Sequence, residues 1–371
     1  AQRLFSARTA PDNLTHLQES QLIVDIAPYL EEFIARLFGI TNEVQALAAR
    51  HHELAPLLHC KRHFVQRRAL QKYKAVEAGG FDGEALHKTL LQFFNTGVAI
   101  FSEMDFVRHV NGWLEDEVAN ADKLDAAERY AAWAAQADAG KLRYRQGVLF
   151  KVPAKLNFQH LVHVVPVEGL HYAAYTLSKN HMRQREGFAL TDQGTDLAGA
   201  LGEANYCIWC HEQGKDSCST GLREKVAAPP HIPQGDNEGA MLDKTVAGEA
   251  PAFKKNHFGT PLAGCPVDEK ISEFHKVKAS GLAIGALAVI VVDNPMCAAT
   301  GHRICNDCMK SCIYQKQEPV NIPQSETRSL KDVLELPWGF EIYSLLTRWN
   351  PLNIRRPTPR AATGKRVLVV G

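Results

Sequence analysis

Eight of the nine cysteines in this chain lie between Cys207 and Cys312. Cys207-x2-Cys210 forms one pair, and Cys218 follows after seven intervening residues. Cys265 stands in Gly264-Cys265-Pro266, and Cys305-x2-Cys308-x3-Cys312 places three thiols in one turn-and-helix segment. Cys297 precedes that group by seven intervening residues. Three chemistries compete for such a set. Disulfides suit an oxidising compartment, but AQRLFSARTAPDN at the start of the chain shows no export signal, and adjacent CxxC pairs dominate. Zinc closes a tetrahedral site with four thiols, which two CxxC pairs supply, and leaves the other four unexplained. Iron–sulfur clusters take thiolates from distant segments and tie those segments together, and eight thiols are what two four-iron clusters need. The spacing favours the third chemistry.

Other residues carry weaker signals. His51-His52, His59-x3-His63 and His160-x2-His163 have the spacing of metal-binding pairs, but 16 histidines produce such pairs by chance, and surface or core roles are expected. Cys60, alone between His59 and Lys61, reads as a buried inert thiol. Lys215, His211, His302 and Arg303 lie near the cysteines and are expected on solvated surface. No residue is assigned a catalytic role.

The elements that must hold these groups read as helices. Thr15-His-Leu-Gln18 has the form of a capping box, and Leu22, Ile26, Leu30, Phe33 and Leu37 then recur on one helical face, with Gly39 as a stop. Further helices are expected over 42–73 with a break at Pro56, over 82–94, and over 124–139 closed by Gly140. Between 148 and 165 a strand or a helix is possible. Thr191-Asp-Gln-Gly-Thr195 offers caps for a short helix leading to Cys207. Residues 227–261 read as an inserted surface loop, and a helix begins near Ile271. Gly281–Val292 is a 12-residue apolar run, too short for a membrane span and suited to a buried helix ending at Asn294-Pro295. Val367–Val370 followed by Gly371 resembles the opening strand and first glycine of a dinucleotide-binding unit. The 42 Lys plus Arg balance 41 Asp plus Glu, which argues against a nucleic-acid or membrane-surface protein.

The segment from Tyr206 to Ile342 resembles the N-terminal two-cluster domain of the glutamate synthase small subunit and dihydropyrimidine dehydrogenase type. That α-helical ferredoxin-like domain precedes FAD- and NAD(P)-binding domains. The residues that carry the resemblance are Cys207-x2-Cys210, Gly264-Cys265-Pro266-Val267, Thr300-Gly-His-Arg-Ile-Cys305, Cys308-x3-Cys312 and Glu318-Pro-Val-Asn-Ile322 leading to Glu326. The resemblance implies two [4Fe–4S] clusters. One takes Cys207, Cys210, Cys218 and Cys312; the other takes Cys265, Cys305, Cys308 and either Glu326 or Cys297. It implies a mainly α fold, with a helical domain at 1–185, a cluster domain at 186–352, and a linker with the first strand of a truncated FAD/NAD(P)-binding domain at 353–371. The expected function is electron transfer, in the cytoplasm, within an NAD(P)H- and FAD-dependent oxidoreductase. Its partners would be the downstream flavin domains and an unknown electron acceptor, and the chain alone would not turn over. The alternatives are a zinc-stapled helical scaffold or a structural cluster domain in a glutamate-synthase-like complex.

Overall fold

The structure is a computed structural model. It describes residues 2–371 apart from 96, 163, 179–181, 183–185, 190–193, 225–251, 301–304, 356–360, 367 and 369–371. Outside the described residues lie most of the expected 227–261 loop, cap residues 191–193, His163, His302, Arg303, and the closing strand with Gly371.

The chain is mainly helical, as expected. Among the described residues the one sheet is a two-stranded antiparallel pair, β1 (Val164–Pro166) and β2 (Tyr175–Leu177). No described helix is long and apolar enough to cross a membrane.

Helix α1 (His16–Leu37) opens with the capping box read from sequence: the Gln18 N–H donates to the Thr15 hydroxyl, and the Gln18 side chain accepts from the Thr15 N–H. Its buried face is rotated from the expected one. Leu22, Ile23, Ala27, Leu30 and Ile34 are buried, whereas Phe33 and Leu37 are exposed. The neighbour explains the rotation: Ala27 meets Gly285, where an added Cβ would stand 3.3 Å from the Ala27 Cβ. Helix α2 (Thr41–Glu53) is followed by α3 (Ala55–Cys60), with Pro56 in its first turn, so the expected break falls there. The chain then runs into a nine-residue π-helix, Lys61–Ala69, a rare form associated with functional sites. Nothing in the periodicity reveals it. Helices α4 (Gly83–Phe94), α5 (Glu103–Leu114) and α6 (Ala121–Gln136) complete this region. Gly140 does not close α6 as expected but lies inside a further short helix.

Two hydrophobic cores result. Residues between Leu57 and Phe150 form one, rich in aromatic rings such as the edge-on pair Phe106 and Phe150. The other unites α1 and α2 with the cysteine-bearing half, through residues from Ile271 to Ile354. The first 50 residues therefore pack with the cysteines. To that core belong α8 (Ile271–Ala279), α9 (Ala283–Asp293), α11 (Ile322–Leu334) and α12 (Gly339–Arg348), and against it pack the end of α7 (Leu197–Tyr206) and α10 (Asp307–Ser311).

The apolar run forms α9, buried from Ala283 through Val291 as read from sequence. Its N-cap, Leu282, has no side-chain acceptor. Glu31 of α1 replaces it, accepting the Gly285 N–H at 2.9 Å. Burial pushes the Glu31 carboxyl up to about 7, against lowering by the α9 N–H groups. A second polar tie joins α8 to α11: Lys278 pairs with Asp332 at 2.7 Å with neither side chain exposed, and Arg328 takes the other carboxylate oxygen.

Two outcomes follow from these ties. An acid with a raised folded pKa is fully stabilising below its unfolded pKa and loses that contribution as pH climbs to the folded one. Glu31 therefore withdraws roughly 3 kcal/mol between about pH 4.5 and 7. Glu31→Gln keeps the acceptor and should match the native chain at low pH and exceed it by that amount above neutrality, in urea melts across pH. Lys278→Met, which leaves the buried Asp332 with only Arg328 and the His51 ring, should cost about 3 kcal/mol or more in the same assay.

Candidate metal centre

Each CxxC pair sits where local backbone geometry turns the chain sharply. Cys207 caps the C-terminus of α7, and Trp209 adopts φ 52° before the 3₁₀ turn Cys210–Gln213. In the second CxxC, Asn306 has φ 57° and leads into α10, whose C-cap is Cys312. Left-handed non-glycine residues are uncommon, and one in each CxxC marks backbone held in place by its surroundings.

Cys218 and Cys265 are 47 positions apart in the chain but meet in space. The Cys265 N–H donates to the Cys218 carbonyl at 2.8 Å and to the Ser219 carbonyl at 2.9 Å. Gly264 permits this approach: it has φ +86°, and an added Cβ would lie 2.3 Å from the Ser219 carbonyl oxygen. The Ser311 hydroxyl accepts from the Gly264 N–H, tying in the Cys312 segment. Beyond them, Leu222 bonds Leu262, Lys254 bonds Leu222, and Glu224 bonds Ala252, all through backbone groups at 2.8–2.9 Å. The ends of the expected insertion are thus zipped together.

Cys207, Cys210, Cys218 and Cys312 line one small chamber of about 10 Å³, the room of roughly one water. This is the first set expected from sequence. Ile271, Val320 and Ile322 form apolar wall, and Asp216, Ser272 and His275 add polar groups. The Cys218 thiol and the Cys312 sulfur are hydrogen-bonded, which holds Cys312 down to about 7. Burial pushes Cys207 up to about 12 and Cys210 to about 11. His275 is fully buried, and both ring nitrogens lack a partner. Burial and nearby Lys278 pull it down to about 3, so its ring is neutral. His211, expected at the surface, is instead buried, with its backbone N–H and ring Nδ1 both bonded to Ser272. Lys215 is exposed, as expected.

The second set is linked by electrostatic influence. Cys265, pushed up to about 11 by burial, lies within electrostatic reach of Cys305 and Glu269, while Cys308 is raised by burial and by Glu269, Cys265 and Glu326. Cys305 is exposed. Glu326 and Cys297 are both buried and influence each other. Glu326 accepts from the Asn294 side chain at 2.9 Å and is pushed up to about 7 by burial; Cys297 bonds the Tyr343 hydroxyl. Glu269 is buried with Oε1 unpartnered and is raised by burial and by Glu326, Asp293 and Asp216. Among the described residues no three His, Cys, Asp or Glu side chains converge as a single ion requires. The first four thiols surround a space.

The histidine pairs do no such gathering. His59 and His63 stack at 4.3 Å, and His51 is buried against the Leu47 carbonyl at 2.8 Å. Cys60 is buried with its thiol pushed up to about 12, as read from sequence. Sequence reasoning missed His275, Ser272, Asp216 and Glu269. They fall on no metal-ligand spacing, and only tertiary packing brings them to the thiols.

The chain is similar to two uncharacterized proteins of Rickettsia prowazekii. It is 64% identical to RP006 over 76 residues, 20% of this chain and 11% of that protein. It is 27% identical to RP005 over 286 residues, 75% of this chain and 87% of that protein. The chain thus spans about a tenth of RP006. Residues 1–39 match the RP005 N-terminal alpha-helical domain family. No solved structure matches. These relationships overturn the resemblance to the glutamate synthase and dihydropyrimidine dehydrogenase type. Family and relatives point to uncharacterized Rickettsia proteins, and among the described residues no three metal-binding side chains converge as a single ion requires. Short cysteine spacings fit any fold that gathers thiols, which is why they misled.

The crossing at Gly264 gives a direct check. Gly264→Ala must push its Cβ into backbone and keep an unfavourable φ, so it should cost about 2 kcal/mol or more, seen as a lower urea midpoint.

Proposed function

We propose that this chain carries electrons through two [4Fe–4S] clusters, one on Cys207, Cys210, Cys218 and Cys312, the other on Cys265, Cys305 and Cys308 with Glu326 or Cys297. One observation carries the reading. Four thiols from three separate segments line one largely apolar chamber that also presents a fully buried histidine with no partner for either nitrogen. Leaving such a polar group unpaired costs about 1–3 kcal/mol. A sulfur-rich centre in the chamber would accept its N–H.

A bound cluster supplies reversible one-electron chemistry. The chain's own groups do the rest. Cys218 and Cys312 are the deeply buried ligands, and Ile271, Val320 and Ile322 exclude water. His275 and Ser272 set the polarity of the chamber, and the Glu269 and Val267 N–H groups bond the Cys265 sulfur. Burial and hydrogen bonds to sulfur are the levers that fix a cluster's potential. In the whole protein the proposed setting is an oxidoreductase in which NAD(P)H reduces FAD and the clusters relay electrons to an acceptor, with no turnover by this chain alone.

Anaerobically purified full chain should be brown and contain roughly eight iron and eight sulfide per chain. Cys312→Ser should halve both. A colourless chain holding only zinc would establish the scaffold alternative instead. His275→Leu should retain the iron but lower the potential of the first cluster, read by a redox titration followed by electron paramagnetic resonance. An unchanged potential would show that His275 gives the centre no hydrogen bond.

A further inference from the structure

A second, far larger concavity of about 2020 Å³ opens beside the thiol chamber. Small-molecule sites hold about 300–1,000 Å³, so the size of this groove favours a macromolecular occupant. Its lining contains eight Lys and Arg side chains against three Asp and Glu, in a chain whose net charge is only +1. The exposed face of the π-helix forms part of one wall. Arg62 and Arg67 there, and Lys151 elsewhere on the lining, make no salt bridge among the described residues. The acids on the lining are occupied with backbone: Asp196 accepts from Gly199, Glu203 from Asn321 and Glu318 from Ala154.

The floor decides what the groove is for. Cys207, Ile208 and Tyr314 line both the groove and the thiol chamber. Tyr206 stacks on Tyr314 with ring centroids 4.6 Å apart and planes within 7°. Anything seated in the groove therefore lies one residue layer from the first set of thiols. We propose that this groove docks the acidic face of an electron-transfer protein, setting the partner's redox group over the Tyr206–Tyr314 pair. The inference rests on the cluster reading above. One electron crosses per encounter, so the partner changes by one electron and the cluster by the opposite one, with no bond made or broken. Positive charge at the rim accelerates encounter and selects the partner.

The test uses anaerobically reconstituted full chain with a flavodoxin as the acidic probe. Binding is followed by flavin fluorescence and electron transfer by stopped flow. Binding should weaken steeply with added salt. The double reversal Arg62→Glu with Arg67→Glu should weaken it about tenfold or more while iron content stays unchanged. Lys151→Glu, away from the π-helix, should act in the same direction. Basic cytochrome c should gain rather than lose affinity from these changes. Equal flavodoxin binding by native and reversed chains, or tighter binding of a single-stranded oligonucleotide than of flavodoxin, would overturn the proposal. A chain that takes up no iron on anaerobic reconstitution yet binds flavodoxin through these residues would uphold the docking groove and refute only the clusters. Iron-loaded chain indifferent to the reversals would refute only the groove.

Discussion

The cysteine-bearing half is organised by the burial of one helix with almost no polarity of its own, Ala283–Asp293. Nine consecutive buried residues, Ala283 to Val291, leave backbone groups at both ends that other elements must satisfy. Glu31 reaches from α1 to the first N–H groups, and the Asn350 side chain donates to the Ala288 carbonyl at 2.7 Å. At the far end Asp293 faces the negative pole of the helix dipole, which Lys270 offsets at 2.9 Å. These contacts bring the first helix and residue 350 to the same core. That core also contains Cys218, Cys297 and Cys312. The sulfurs are placed to the extent that this helix is.

The electrical character of the thiol region follows from the same burial. Most of its thiols and its inner carboxyls are pushed towards their neutral forms. Lys270, beside Glu269 in sequence, is engaged by Asp293. A region with many potential anions and little nearby cationic compensation is costly to ionise. Under the proposed reading, iron supplies the missing positive charge. The Lys278–Asp332–Arg328 group shows the contrasting solution, in which buried charges are compensated within the protein.

Much of the fold was legible because local signals and tertiary packing agree there. The Thr15 capping box, the Pro56 break, the apolar helix and its end at Asn294 all stand. The rotated face of α1 was not legible, since Phe33 and Leu37 look as apolar as Ile23 and Ile34; the difference is a close crossing at Gly285. Membership of the first 50 residues in the cysteine core depends on contacts hundreds of positions distant. For the site, the four thiols that share a chamber are the set that the resemblance implied, although that resemblance is overturned. His275 and Glu269 were invisible for the reason that makes them informative: each is a polar residue whose burial only the folded chain reveals. The π-helix was equally hidden, because its wider turn still presents Phe64 and Val65 inward.

The zipper formed by Leu222, Glu224, Ala252, Lys254 and Leu262 separates what is anchored from what is spanned. Once those backbone bonds are made, the separation of Cys218 and Cys265 no longer depends on how many residues lie between. Lengthening a flexible connection costs little, about 0.6 kcal/mol per doubling. Selection can therefore rewrite, extend or replace that stretch without disturbing the sulfurs. The same position is a natural insertion point for a reporter domain, a handle on the protein that leaves its redox-candidate core alone.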